Sequence, residues 1–114
     1  MLQDFFKSIK LDPLNTRAFK HADGSFEVTI GSIEEGTQTH PFNGHVIKVT
    51  KGEFKPFLEE LVYWLSKAIP YCANDLQKEM LEYYIKSYTT GSIDDHKDSQ
   101  RKWIKDKGPV VECN

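Results

Sequence analysis

Apolar positions divide the 114-residue chain into two regimes, sparse and turn-separated up to about residue 50, then helically periodic. Leu2, Phe5, Phe6 and Ile9 lie at helical spacing, and Asp12-Pro13 ends that run. In SFEVTI, Phe26, Val28 and Ile30 alternate with Glu27 and Thr29, which predicts a strand between the turn signals Ala22-Asp23-Gly24 and Gly31-Ser32. HVIKVT, residues 45–50, is β-branched and predicts a second strand. The intervening GSIEEGTQTHPFNG reads as a loop, long for a tight hairpin, across which the two strands could pair antiparallel.

Beyond residue 50 the period is that of a helix. Thr50 and Glu53, flanked by Val49 and Phe54, have the spacing of a capping box with a hydrophobic staple; alternatively the helix starts with Pro56 at its first position. Phe57, Leu58, Leu61, Val62, Leu65, Ala68 and Ile69 make one apolar face, with Trp64 at its edge and Pro70 at its end. A second helix runs from about Asn74 to Thr89. Asn74 and Gln77 form its cap pair, Leu76, Met80, Tyr83 or Tyr84, and Tyr88 its inner stripe, and Gly91 its stop. The tyrosines of EYYIKSY suit half-wet packing or, on a sharper reading, an aromatic ligand platform.

A third helix follows. Ser92 is its N-cap, Asp94 and Asp95 lie in its first turn, and Arg101, Lys102, Lys105 and Lys107 fill its last turns. That charge order suits the helix dipole and requires no binding partner. The inner stripe, Ile93, His96, Gln100, Trp103 and Ile104, is unusually polar. Its His and Gln each need a hydrogen-bond partner, either within the core or at a site or interface. Gly108 then supplies a permissive turn, Pro109 extends the chain, and Val110 to Asn114 begin a strand. Glu112 is a carboxylate among apolar neighbours there, either an edge residue in water or an amine-binding group. The fold class expected is α+β, with three main helices after about residue 50 and two or three short strands.

Composition narrows the function. A net charge of −2 and a pI near 6.1 argue against nucleic-acid or anionic-membrane binding. No apolar run approaches the roughly 20 residues of a membrane span. MLQDFFKSIK has no signal-peptide pattern, so the expected location is cytoplasmic, with Cys72 and Cys113 as reduced thiols. His21, His40, His45 and His96 fall at no metal-ligand spacing, and no metal site is expected in this segment.

The sequence TTGSIDDHKDSQRKWIKDKGPVVECN resembles the first signature region of the dipeptidyl peptidase III family, zinc exopeptidases that release dipeptides from peptide N-termini. The matching elements are Gly91-Ser92-Ile93, His96-Lys97, Ser99, Trp103-Ile104, Asp106 to Pro109, and Val111-Glu112. The likeness covers residues 44–114 and continues more weakly upstream.

The resemblance implies a partial lobe of a larger, two-lobed enzyme. Residues 1–50 would be turn- and strand-rich, 51–107 would hold three helices, and 109–114 would begin a cleft-lining strand. This lobe would contain a small β-barrel, while the zinc ligands and general base would lie on the other lobe. The family's His-Glu pair followed by a second His is absent from these residues.

By the same resemblance, Glu112 holds the α-ammonium of an oligopeptide substrate. Asn114 stands where family members can carry a Tyr that reaches substrate. His96, Trp103, Asp106, Gly108 and Pro109 would serve packing and strand positioning. A stand-alone helical interaction module, binding a protein partner through Trp103 and the Tyr-rich helix, is the alternative.

Overall fold

The structure, a computed structural model, describes residues 1–108. The expected strand with Glu112 and Asn114, and with them Pro109 and Cys113, lies outside the described residues. Helix α1 (Leu2–Ser8) leads into strands β1 (Thr16–Lys20), β2 (Phe26–Gly31), β3 (Gly36–Phe42) and β4 (His45–Glu53). Helices α2 (Lys55–Ala68), α3 (Asp75–Thr90) and α4 (Ile93–Trp103) follow. The α+β reading holds, with four strands among the described residues rather than two or three.

The sheet order is β1-β2-β4-β3. β2 and β4 pair in parallel, which corrects the antiparallel expectation, and the supposed loop between them contains β3. The cause is local. Asn43 and Gly44 both have positive φ, +49° and +76°, and form a two-residue turn between the paired Phe42 and His45. β4 therefore folds back on β3 and enters the sheet beside β2. β3 is left at an edge, where Pro41 costs no ladder bond to a second neighbour.

The β2 alternation is as read from the sequence. Val28 and Ile30 are buried with Ile47 and Val49 of β4, and α1 lays the fully buried Phe5 over them. The opposite face is polar. Glu27 accepts from the Thr50 hydroxyl at 2.9 Å, with His21 and Lys48 within 3.6 Å. Glu53 accepts from Arg17 Nε and from the Thr29 hydroxyl, both at 2.8 Å. The Thr50 hydroxyl foremost holds the Glu27 carboxyl below its ordinary range, and the Arg17 guanidinium does the same for Glu53.

β4 runs to Glu53, so the capping box expected from Thr50 and Glu53 does not form. Both side chains bond within the sheet, and Val49 lies in the sheet core. A bulge lets β4 continue: Ile30 pairs with Lys51 but Gly31 with Glu53, leaving Gly52 extra at φ +104°. The freed Gly52 N–H donates to Ser32 Oγ at 3.0 Å, and the fully buried Ser32 hydroxyl donates to the Glu34 carbonyl at 2.8 Å. α2 starts at Lys55 with Pro56 in its first turn, close to the alternative start.

The helices enclose a second core of Leu65, Met80, Leu81 and Tyr84, joined by Leu61, Ile69, Ile85, Tyr88 and Trp103. Tyr84, rather than Tyr83, is the inner tyrosine. Only part of the expected α2 face is covered, since Phe57 is 74% exposed, Ala68 is exposed too, and Trp64 at its edge is 60% exposed. With two cores the molecule is extended. Its radius of gyration is 16.7 Å, against roughly 13 Å for a compact domain of this length.

One seam joins sheet to helices. A helix ends with four carbonyls lacking helical partners. In α3 the Ser87 carbonyl accepts from Gly91 N–H at 2.8 Å, Tyr88 from Ile33 at 3.1 Å, and Thr89 from Glu34 at 2.9 Å. The Thr90 carbonyl accepts from Lys51 Nζ at 3.2 Å. The β2–β3 connection and a β4 lysine thus cap α3.

Candidate functional site

The signature residues that are described lie on the α3–α4 pair and its exit. Gly91 adopts φ +79°, and Ser92 caps α4 by accepting the Asp95 N–H at 3.1 Å, as the sequence predicts. The polar stripe packs against Tyr84. Gln100 Nε2 donates to Tyr84 Oη at 2.7 Å, and the His96 ring meets the Tyr84 ring edge-on at 5.9 Å. Ser99, fully buried, donates to the His96 carbonyl at 2.6 Å. Trp103 packs against the helical core. The rest of His96 borders a hollow of about 430 Å³ at the seam, with Asn15, Phe54, Leu58 and Tyr88.

Two expectations for this helix need correction. α4 ends at Trp103, so Lys105 and Lys107 are not helical, and Ile104 is 70% exposed rather than inward. Asp106 is held instead at the start of α3. Its Oδ1 accepts from Asn74 Nδ2 and from Gly108 N–H, both at 2.9 Å, and its Oδ2 accepts from Gln77 Nε2 at 2.9 Å. The Gly108 N–H foremost, then Gln77 and Asn74, hold the Asp106 carboxyl below its ordinary range.

Asn74 and Gln77 also cap α3. Asn74 Oδ1 accepts the Gln77 N–H at 2.9 Å, and Gln77 Oε1 accepts the Ala73 N–H at 3.0 Å. Gly108 is tightly set here by close approach, not by a left-handed turn. A Cβ on it would stand 3.1 Å from both Asn74 Nδ2 and Asp106 Oδ1.

Ion pairs brace the same region. Lys102 meets Glu79, Lys86 lies 3.8 Å from Asp95, and Lys97 reaches Asp12 at 3.1 Å. Tyr84 and Trp103, two residues of the alternative docking stripe, are taken up by the helical core.

The structure does not gather the histidines. His21 and His45 border one hollow at the far end of the sheet, His40 packs edge-on against Phe5, and His96 sits at the seam. Among the described residues no group of three His, Cys, Asp or Glu side chains is arranged to hold a metal ion, so they do not fit the zinc that the resemblance implies. No described helix is long and apolar enough to cross a membrane. Cys72 carries a free thiol whose pKa burial pushes up. Sequence reading missed the part played by Ser99, Ser32 and the Asn74–Gln77–Asp106 cluster. The Asn74/Gln77 cap spacing was the one local signal of that cluster.

The family model "Peptidase family M49" matches residues 1–114. Dipeptidyl peptidase 3 of Dictyostelium discoideum is 44% identical over 115 residues, covering 99% of this chain and 17% of that protein. Dipeptidyl peptidase 3 of Homo sapiens is 41% identical over 127 residues, covering 98% of this chain and 17% of that protein. The corresponding protein of Nematostella vectensis is 31% identical over 130 residues, covering 97% and 18%. The chain spans about a sixth of the length of these relatives. With the match extending from the first residue to the last, the chain belongs to peptidase family M49.

Proposed function

We propose that these residues are part of a zinc-dependent dipeptidyl peptidase that removes dipeptides from the N-termini of oligopeptides in the cytoplasm. The observation that carries this reading is the family match over the whole chain, with relatives named Dipeptidyl peptidase 3. In it the segment forms one wall of the substrate cleft and contributes no metal ligand. The zinc, its ligands and the general base belong to the remaining length of the enzyme, in the opposite lobe.

Glu112 has the role of anchor. A dipeptidyl peptidase measures two residues from a charged end, and a carboxylate at the end of the cleft pairs with the substrate's α-ammonium. Asn114 adds hydrogen bonds to the peptide backbone. The test is Glu112→Gln in a family-length peptidase carrying this sequence. A charge-assisted hydrogen bond contributes about 1.5–3 kcal/mol, so catalytic efficiency should fall about tenfold to a hundredfold with zinc content unchanged. Unchanged efficiency at full zinc occupancy would reject the anchor role.

A further inference from the structure

We propose, on the reading above that these residues are one part of a longer dipeptidyl peptidase, that the outer side of α2 is the seat of an α-helix from the remaining length of the same polypeptide. The seat is the row Phe57, Leu61, Trp64, Ala68 and Tyr71, all within the described residues.

The row is separated by four, three, four and three positions, the repeat of about 3.5 residues with which one helix seats another. Its first four residues fall within about 60° of one another around the α2 axis. Tyr71 follows in the short 3₁₀ helix Ile69–Tyr71 that extends α2. Leu58, Leu65 and Ile69 lie about 100° further round. That second side is the one taken up by the helical core, where Leu65 is buried and Ile69 packs against α3 residues. Apolar residues therefore cover about half the circumference of α2, more than one neighbouring helix can bury. Phe57 and Trp64 remain in solvent with Ala68, and Tyr71 is 88% exposed. Single exposed apolar residues need no partner, but a contiguous row with three large aromatics marks an interaction surface.

The row also sets the chemistry of its occupant. Ala68 between Trp64 and Tyr71 leaves a hole of the kind that takes a knob from a facing helix. Glu60 and Lys67 border the row on its solvent side, with Lys67 Nζ over the Tyr63 ring at 5.4 Å. The facing helix thus has an apolar seam, a basic residue opposite Glu60 and an acidic one opposite Lys67.

Area decides where that helix comes from. From Phe57 to Tyr71 the row is about 21 Å long and about 10 Å wide. Separate molecules form a stable interface over roughly 800 Å² per partner, several times what the row offers. A helix tethered in the same polypeptide has an effective concentration of about millimolar and needs no such area. The relatives are about six times the length of this chain, so a family-length polypeptide has ample length to supply it.

The experiment uses a family-length peptidase carrying this sequence. Hydroxyl-radical footprinting of the unaltered protein compares oxidation of Trp64 and Tyr71 in the native and urea-unfolded states. Side chains left 60% and 88% exposed would be protected less than about twofold, whereas a seated helix should protect both about tenfold. Variants carrying the photo-crosslinker p-benzoylphenylalanine in place of Phe57, Trp64 or Tyr71, one at a time, then identify the occupant. Seven residues of helix rise about 10.5 Å, which a strand covers in about three. Capture points should therefore step by about seven residues along one stretch of the same polypeptide.

Less than about fivefold protection at either residue overturns the seat. Capture points about three residues apart, capture from scattered segments or capture in a second molecule overturn it too. Protection that disappears on dilution assigns the face to a second copy and counts against the proposal in the same way. The footprint needs no substitution, so it decides even where a crosslinking variant fails to fold. Zinc-dependent release of dipeptides by the unaltered protein is followed in parallel. A protected row without that activity rejects the peptidase reading and leaves the seat in place. An exposed row in an active enzyme overturns the seat and leaves that reading in place.

Discussion

Gly91 and Ile30 touch so closely that a Cβ on Gly91 would stand 2.8 Å from Ile30 Cγ2. The glycine also has φ +79°, so it answers two demands at once: a left-handed helix stop and a close approach of the α3–α4 corner to the end of β2. Gly91→Ala should destabilise the protein by about 2–4 kcal/mol, combining left-handed strain with overpacking. Urea unfolding followed by tryptophan fluorescence measures it. A midpoint equal to that of the parent would mean the corner is loose.

Ser32 is the second point of the seam open to test. Its hydroxyl accepts from Gly52 and donates to Glu34, with no solvent exposure. Ser32→Ala leaves a bulge N–H without its partner and should cost about 1–3 kcal/mol. Hydrogen exchange adds a local readout, since the Gly52 amide should exchange faster in the variant while amides in the α2–α3 core keep their protection. Equal exchange at Gly52 would contradict the bonding described.

Acid should weaken the fold. Glu27, Glu53 and Asp106 all have carboxyl pKa values held below their ordinary range. As pH falls below about 5, the unfolded chain takes up protons that the folded chain still refuses, so unfolding is favoured. Their contribution is fully present above the ordinary carboxylate values and is lost as pH falls through the depressed folded values. The urea midpoint should therefore be flat from pH 7 to about 5.5 and drop below it. Glu27→Gln with Glu53→Gln should flatten the drop. A midpoint constant down to about pH 3.5 would reject the assignment.

The 114 residues alone should not hydrolyse dipeptidyl arylamides, with or without added zinc. Among the described residues there is no cluster to hold the metal. Metal-dependent turnover by the purified segment would overturn the division of labour proposed above.

Much of the helical half could be read directly. Asn74, Ser92 and Gly91 are capping residues whose signal lies within four positions of the bond they make, and each does what its spacing predicts. β3 could not be read from alternation, because an edge strand with most of its side chains in solvent has no apolar face to betray it. Asn43-Gly44 was the available clue, outweighed by Pro41 and the polar run before it. Thr50 and Glu53 misled because a local capping pattern lost to burial of Ile47 and Val49 in the sheet. At the candidate site, Asp106 stood out only through family resemblance, and Gly108 was legible as a turn but not as a close approach. The partners of Asp106 lie 32 and 29 residues upstream, and no local pattern encodes a contact at that range.

The parallel pairing of β2 with β4 imposes an order of assembly. The β3–β4 hairpin closes over a two-residue turn and needs nothing outside residues 36–53. β2 has a local partner in β1, with which it pairs antiparallel across the turn of residues 21–25, but its other neighbour β4 follows only after β3 and the turn. Loop closure favours the β1–β2 and β3–β4 hairpins first, with the two then joining through the parallel β2–β4 pairing. During synthesis, the edge of β2 that faces β4 must wait open until residue 53 has left the ribosome, a span in which it can pair with the wrong strand. Slower translation just after Glu53 should then raise the yield of native protein, and a stall before Asn43 should lower it.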